Sequence, residues 1–160
     1  AQDSEYYEYS ISDDCGKTFE RHSGAQKIPT PFDETMAYQK DNGDIRMFAR
    51  SYIGALAEST STDDGITWSE TVSSGIDSPN TRFFVSRTPT GNILLVNNDD
   101  RQTRCKMTVY LSEDDGNTWK YKKCIDERDS LSYPDVDFYD NKIYLTYDRE
   151  RTGANGWRYS

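Results

Sequence analysis

A glutamate and an arginine flank a predicted hairpin that lies between the first two copies of a repeated pattern. Glu34 begins the outgoing strand, and Arg50 lies near the end of the returning one, sixteen residues later. Between them, Asn42-Gly43 predicts a two-residue turn. With that loop Glu34 is expected opposite Ser51 and diagonal to Arg50, at the same end of a sheet. The pair is either an ordinary cross-strand ion pair or part of a binding site.

Two further side chains could take part in chemistry. Arg104 lies at the start of a predicted strand, and is either a solvated basic residue or a ligand for an anion. Arginine presents a rigid, charged fork that binds a carboxylate bidentately, which lysine cannot imitate. Tyr133 begins the last predicted hairpin, although a strand tyrosine most often packs in a chain with twelve tyrosines. Its phenol, with an unperturbed pKa of about 10, would need a partner base to act as a nucleophile.

Three copies of one pattern, S-x-D-x-G-x-T-[WF], organise the chain. They begin at Ser12, Ser61 and Ser112, which are 49 and then 51 positions apart. Each copy is expected to be a hairpin turn, in which the Asp accepts backbone N–H bonds and the Gly takes a positive φ. The final Trp or Phe is expected to seal the hairpin against its neighbour. A period of about 50 residues built from short strands indicates a radial β-repeat.

The repeats predict an all-β fold, a partial β-propeller of three to four four-stranded antiparallel blades covering residues 1–160. Closed propellers carry about 4–8 blades, so the chain is expected to be an internal or carboxyl-terminal piece of a larger protein. An intact, unusually small domain is the alternative. Polar connectors are predicted at 73–81 and 125–130. The predicted strands are 34–40, 45–51, 56–61, 67–72, 83–87, 92–97, 106–112, 118–124, 133–139 and 142–148.

Charge and composition exclude several classes of function. The net charge of −9 argues against nucleic acid as a partner, so any anion site must be built locally from arginines. No run approaches the ~20 apolar residues of a membrane span. His22 is the single histidine, which rules out histidine triads and clusters of histidine ligands. The acidic pairs of the repeats suit turn capping better than calcium, and no phosphate-binding glycine loop is present. No cofactor and no metal are therefore expected.

The three cysteines leave the redox compartment open. Cys15 occupies a variable position of the first repeat and is expected at the surface. Cys105 and Cys124 lie at similar distances on either side of the third repeat, so they are expected to face each other across a hairpin. They are either a disulfide, which would suit an exported protein, or two buried thiols.

The repeats resemble the Asp-box, or BNR repeat, of the sialidase (neuraminidase) superfamily, whose members are six-bladed β-propellers. Three segments extend the resemblance. Glu34 and Arg50 reproduce a Glu/Arg spacing of retaining sialidases. The stretch from Arg104 to Ser112 resembles the family's R-x-x-x-x-V-x-L-S strand. Ser132-Tyr133-Pro-Asp resembles the nucleophile segment, although Asp148 stands where the family closes the following strand with Glu.

The resemblance implies an exo-α-sialidase that releases terminal sialic acid with retention, and a secreted or periplasmic location. Glu34 would act as the base for the nucleophile Tyr133, and Arg50 and Arg104 would be two of three arginines that bind the substrate carboxylate. Asp148 would orient an arginine. Further polar residues either edge the same pocket as substrate contacts or are ordinary loop and strand-end residues, namely Arg82, Tyr52 and the run 97–100.

The resemblance leaves parts of such a site unassigned. The first arginine and the acid/base Asp of the family lie upstream of this sequence, so the chain alone is expected not to turn over substrate. Partners are expected to be a sialylated glycan or another acidic sugar, with the rest of the propeller supplied elsewhere. Two alternatives stay open, a glycan-binding or interaction propeller without catalysis and a hydrolase for a different acidic sugar.

Overall fold

The computed structural model describes residues 5–28 and 34–150, which form antiparallel β-sheets without any helix. Two sheets have four strands in chain order, β3-β4-β5-β6 and β7-β8-β9-β10, and two have two strands, β1-β2 and β11-β12. The all-β prediction with four strands per repeat is confirmed. The strands are β1 (Tyr6–Ile11), β2 (Glu20–Gln26), β3 (Thr35–Gln39), β4 (Ile45–Ala49), β5 (Ala55–Ser61), β6 (Val72–Asp77), β7 (Phe84–Arg87), β8 (Ile93–Asn98), β9 (Met107–Ser112), β10 (Tyr121–Asp126), β11 (Leu131–Tyr139) and β12 (Lys142–Arg149).

The hairpin between β3 and β4 differs from the predicted one by a single residue. Its loop comprises residues 41–43, and the N–H of Gly43, which has a φ of 94°, donates to the carbonyl of Lys40 over 3.0 Å. A left-handed Gly as third loop residue is typical of three-residue hairpins. The predicted two-residue turn was therefore wrong. Glu34 lies directly across from Arg50, whose N–H donates to the Glu34 carbonyl over 3.0 Å.

The outermost strand of each four-stranded sheet begins later than predicted. The ranges 67–72 and 118–124 were expected, whereas β6 is Val72–Asp77 and β10 is Tyr121–Asp126. The repeat turn holds its own threonine, since the N–H of Thr118 donates to Asp114 Oδ1 over 2.8 Å. The chain stays in the turn at that point, and the strand begins only after it.

The three repeat turns share one hydrogen-bond pattern. In the third, Ser112 Oγ donates to Asp114 Oδ1 over 2.7 Å and accepts from the N–H of Gly116 over 2.8 Å. The side-chain hydrogen bond from Thr118 is the largest of the interactions that lower the pKa of Asp114 to about 2. In the first turn the backbone N–H of the matching threonine has the largest effect and lowers the pKa of Asp14 to about 2. The predicted capping role of these carboxylates is confirmed.

The aromatic residue that ends each repeat is covered in two of the three copies. Trp68 Nε1 donates to the Gly65 carbonyl over 3.0 Å, and the Trp119 ring lies edge-on to Tyr110 with centroids 6.2 Å apart. Phe19, by contrast, is 67% exposed, so the sealing prediction was wrong there. Trp68 and Trp119 each pack on an apolar layer shared with the preceding sheet, whereas no sheet precedes β1 and β2 among the described residues.

Apolar layers lie between successive sheets. The central strand β8 is buried along its whole length and has no polar alternation, because both of its faces are covered. One layer joins the second and third sheets, a second lies on the first and second, and a third on the third and fourth. The largest layer contains Tyr38, Phe48, Leu56, Ile76, Phe83, Val85, Ile93, Leu95 and Tyr110.

The repeat turn of one sheet also docks on the sheet before it. Tyr38 Oη donates to the Asp115 carbonyl over 3.1 Å, and Arg46 Nη1 donates to the Gly116 carbonyl over 2.6 Å. A Cβ atom on Gly116, which has a φ of 78°, would lie 2.2 Å from Tyr38 Oη. A side chain at position 116 would therefore force Tyr38 or the turn to shift.

All three cysteines are described, and all are free thiols. Cys15 is exposed, as expected, and Cys105 is buried. Cys124 lies opposite Thr108 rather than Cys105, so the expectation that the two thiols face each other was wrong. Lys106, next to Cys105, has a φ of 51° and lies outside β9, which takes Cys105 out of the hairpin register.

Candidate active site

The side chains singled out from the sequence come from one end of the sheets. Glu34 precedes β3, Arg50 follows β4, and Arg104 lies in the connection from β8 to β9. Tyr133 lies near the beginning of β11. Because adjacent strands are antiparallel, these positions share one end, and the three repeat turns occupy the other. The topology therefore separates a turn-capped end from an end that carries arginines and a phenol.

Glu34 and Arg50 form an ion pair at this end. Arg50 Nη1 donates to Glu34 Oε2, and the Arg50 side chain is only 3% exposed, against 31% for Glu34. The three-residue hairpin loop places the two residues in line, so the side chains meet without any distortion of the strands. The buried guanidinium is held by several acceptors, while the carboxylate keeps one face toward solvent.

Tyr133 has an unusual backbone. Its φ is 55°, in the left-handed region that tyrosine rarely adopts. The pairing of β11 with β12 shifts register between Ser132 and Asp135, so Tyr133 lies in a β-bulge. A bulge bends its strand and redirects a side chain, and such bulges are common beside active sites.

The redirected phenol reaches the ion pair. Tyr133 Oη donates to Glu34 Oε1 over 3.1 Å, although ninety-nine positions separate the two residues. Arg50 Nη1 donates to Tyr133 Oη over 3.5 Å, at the long limit of a hydrogen bond. Glu34 thus binds Arg50 through one carboxylate oxygen and Tyr133 through the other. The three groups form a contiguous cluster from two different sheets.

Arg104 lies beside this cluster and is 9% exposed. Its Nη2 donates to the carbonyl of Asn80 over 3.0 Å, and its own carbonyl accepts the N–H of Leu131 over 2.8 Å. The second bond ties the Arg104 backbone to the strand that carries Tyr133. Arg104 is therefore bonded through its side chain to Asn80 and through its backbone to the strand that carries Tyr133.

Asn80 joins the two arginines and was missed in the sequence, where it falls in the predicted connector 73–81. Its side-chain Oδ1 accepts from Arg50 Nε over 2.7 Å, and its carbonyl accepts from Arg50 Nη2 over 3.0 Å. The same carbonyl accepts from Arg104. The dipeptide Pro79-Asn80 marks a turn in sequence but carries no sign of its partners.

Residues 97–100 support the loop that carries Asn80 and the loop that carries Arg104. Asn97 and Asn98 are fully buried, and Asn98 Nδ2 donates to the Cys105 carbonyl over 2.9 Å. Asp100 Oδ1 accepts the N–H groups of Gln102 and Thr103 over 2.9 and 2.8 Å. These bonds, the first of them foremost, lower the pKa of Asp100. The acidic residue thereby shapes the loop that leads into Arg104.

The remaining predicted residues lie at the margins. Asp148 is exposed on β12 and pairs with Ser132, the neighbour of Tyr133. Tyr52 is 57% exposed, two residues after Arg50. Arg82 is half-buried, and among the described residues no hydrogen bond or ion pair of its side chain is seen. The geometry thus brings Glu34, Arg50, Arg104 and Tyr133 together and does not place Arg82 in their network.

Other kinds of site are not seen in the described residues. Within 5–28 and 34–150, no three His, Cys, Asp or Glu residues cluster as a candidate metal site. The same ranges contain no helix that could cross a membrane. A cavity of about 530 Å³ opens at the other end of the sheets, between Thr88–Asn92 and Tyr139–Ile143. It contains none of the clustered side chains, so its size does not identify the site.

Solved structures of sialidases resemble this fold. The intramolecular trans-sialidase of Ruminococcus gnavus, crystallised with oseltamivir carboxylate, matches with a TM-score of 0.72 and 26% identity over 89% of this chain. The NanB sialidase of Streptococcus pneumoniae matches with a TM-score of 0.74 and 27% identity over 89% of this chain. The Hadza microbial sialidase Hz136 matches with a TM-score of 0.67 and 26% identity over 84%. Curated protein sequences give no significant match.

The matches cover most of this chain but a small part of the other proteins. The chain spans 33% of the Ruminococcus protein, 24% of NanB and 28% of Hz136. In sequence, residues 3–145 match the BNR repeat-like domain. The chain therefore belongs to the BNR repeat-like domain family of the sialidase superfamily, and its sheets are the blades of a partial β-propeller.

Proposed function

We propose that this chain carries the nucleophile and part of the carboxylate-binding site of a retaining exo-α-sialidase. The observation that carries the proposal is the hydrogen bond of 3.1 Å from Tyr133 Oη to Glu34 Oε1. A phenol is a poor nucleophile until a base within hydrogen-bond reach takes its proton, and Glu34 lies within that reach.

The two arginines suit the charge of the substrate. A sialic acid is a ketose whose anomeric carbon carries a carboxylate, so its binding site needs fixed cations. Arg50 and Arg104 are nearly buried and hydrogen-bonded to Asn80, which restricts their rotation before any ligand arrives. Preorganised charge of this kind costs little reorganisation when the substrate binds.

The reaction follows from the same contacts. Glu34 Oε1 takes the phenol proton as Tyr133 Oη bonds to the anomeric carbon. The bond from that carbon to the leaving oxygen breaks, and its electron pair goes to the oxygen, which an acid outside this set protonates. Water then bonds to the anomeric carbon and loses a proton to the conjugate base of that acid. The electron pair of the glycosyl–tyrosine bond returns to Tyr133 Oη, which regains its proton from Glu34. The two displacements together retain configuration. A neutral phenol approaches the substrate carboxylate without the repulsion that a carboxylate nucleophile would meet.

The strain at Tyr133 supports a functional role. A non-glycine residue held in a sparsely populated backbone region costs about 1–3 kcal/mol and persists where the surroundings impose it. Such residues cluster at active sites, and a tyrosine used only for packing needs no such conformation. A propeller that merely binds glycans would keep the arginines, but it has no use for a phenol paired with a base.

The rest of the site comes from outside the residues named here. A third arginine and a catalytic acid are expected from blades that this chain does not contain, since the chain spans only 33% and 24% of two matched sialidase chains. The 160-residue chain on its own is therefore proposed to be inactive. An exported protein, secreted or periplasmic, fits a substrate on extracellular glycans.

Trapping the covalent intermediate tests this proposal directly. The full-length protein that contains this chain is treated with a 3-fluorosialosyl fluoride, in which the fluorine at C3 slows hydrolysis of the intermediate. Peptide mass spectrometry should find the sugar on Tyr133. A labelled residue elsewhere, or a protein that neither cleaves a fluorogenic sialoside nor becomes labelled, would contradict it.

A further inference from the structure

We infer that Asn80 is a positioning residue that aligns Arg50 and Arg104 for a shared carboxylate ligand. The inference rests on the proposed function and extends it to a residue with no reactive group. Asn80 is the central residue of a three-residue turn, in which the Thr81 N–H donates to the Pro79 carbonyl over 2.7 Å.

Asn80 holds Arg50 as a carboxylate would. Its Oδ1 and its carbonyl oxygen accept from Nε and Nη2, two adjacent donors on one edge of the guanidinium. A planar guanidinium bound through Nε and Nη2 cannot rotate about its Cδ–Nε bond without losing both hydrogen bonds. The opposite nitrogen, Nη1, is left to Glu34 and Tyr133.

The same carbonyl also sets the distance between two like charges. Arg50 Nη2 and Arg104 Nη2 both donate to the Asn80 carbonyl over 3.0 Å. Neighbouring cations repel each other, and a carbonyl dipole between them reduces that repulsion without neutralising either charge. The Asn80 carbonyl therefore holds the two guanidinium groups side by side at a fixed spacing.

Hydrogen bonds from Asn97 anchor the residues that lead into this turn. Asn97 Oδ1 accepts from Ser78 Oγ over 3.1 Å, and its Nδ2 donates to the Asp77 carbonyl over 2.8 Å. Asn97 is fully buried at the end of β8, the strand with the most complete burial. Asn80 is thus attached to the rigid centre of its blade, as a residue that positions others must be.

The effect of Asn80 should depend on the ligand's charge. The test uses the full-length protein and two probes, 2,3-dehydro-N-acetylneuraminic acid and its methyl ester, with affinity measured by calorimetry. Asn80→Leu removes the Oδ1 acceptor at similar volume and should weaken binding of the acid about ten-fold, because one charge-assisted hydrogen bond is lost. Affinity for the ester should stay within about two-fold, because the ester has no charge to align with the guanidinium forks.

Two variants complete the design. Asn80→Asp keeps an acceptor for Arg50, so it should fold, but its charge faces the ligand carboxylate and should also weaken the acid selectively. Thr81→Val is the matched control in the same turn. Thr81 is buried, and its Oγ1 has no hydrogen-bond partner among the described residues, so this change should leave both affinities unchanged.

The outcomes separate the inference from the proposed function. Wild-type affinity for the acid in both Asn80 variants, or an equal loss for acid and ester, would overturn the positioning role alone. A carboxylate-selective loss in Thr81→Val as well would do the same. If Asn80→Leu does not fold, wild-type affinity of Asn80→Asp for the acid is the result that overturns the positioning role. A wild-type protein that prefers neither probe and cleaves no sialoside removes the proposed function and this inference with it.

Discussion

The phenol of Tyr133 and the carboxylate of Glu34 meet across 3.1 Å, from two sheets of the propeller. Glu34 lies just before β3 of one blade, and Tyr133 lies on β11 of another. Neither residue contributes to the turns that define the repeats. Their contact is therefore a product of blade packing, and the predictions below test whether it has the proposed chemical role.

Tyr133→Phe in the full-length protein should reduce kcat on a fluorogenic sialoside by about a thousand-fold or more, because the nucleophilic oxygen is gone. The affinity for 2,3-dehydro-N-acetylneuraminic acid should change little, since the arginines remain. Tyr139→Phe is the control, because Tyr139 is 72% exposed on the same strand. A Tyr133→Phe protein that keeps most of its turnover would show that the nucleophile is misassigned.

Arg104→Lys should raise KM by about ten-fold or more, because lysine cannot replace a bidentate fork. Turnover at saturating substrate should fall less than kcat/KM does. Arg101→Lys serves as the control, since the Arg101 side chain is 64% exposed and pairs with Asp77 at the surface. Equal KM values for the two variants would argue that Arg104 does not contact the substrate.

Gly116→Ala should lower the free energy of unfolding by about 1–3 kcal/mol more than Gly43→Ala does, because of overpacking. Both glycines have a positive φ, so both changes carry a similar backbone cost. Only at Gly116 would the new Cβ meet Tyr38 Oη, at 2.2 Å, whereas no atom lies within 4 Å at Gly43. Urea unfolding measures the difference, and equal losses would show that the turn can move away from the neighbouring sheet.

Asp114→Asn should lower the melting temperature at neutral pH, and the deficit should shrink as the pH falls. The folded-state pKa of Asp114 is lowered to about 2, chiefly by the Thr118 side chain, from a usual value of 3.8. A depressed pKa means that the carboxylate stabilises the fold above about pH 4 and that this contribution is lost as the pH falls toward 2. Melting curves of both proteins between pH 7 and 2 check this, and a deficit that does not change with pH would contradict it.

Much of the fold could be predicted because its signals are local. Within each repeat the Ser, Asp, Gly and Thr hydrogen-bond to one another over a few residues. The conformation of the turn can therefore be derived from the motif alone. The period of the motif then implies the number of strands per blade. The hairpin register was harder, because Asn42-Gly43 suits a two-residue loop, whereas 41–43 forms a three-residue loop with Gly43 in the left-handed region.

What the sequence determined by itself is the turn chemistry, the repeat and the residue types that could bind a carboxylate. Only the tertiary structure decided that Asn80 joins Arg50 to Arg104, that Tyr133 takes a left-handed backbone in a bulge, and that Cys105 and Cys124 stay apart. The physical reason is the separation along the chain of the residues that interact. A turn is stabilised by neighbours along the chain, whereas a carbonyl shared by two arginines depends on three segments brought together by packing between the blades.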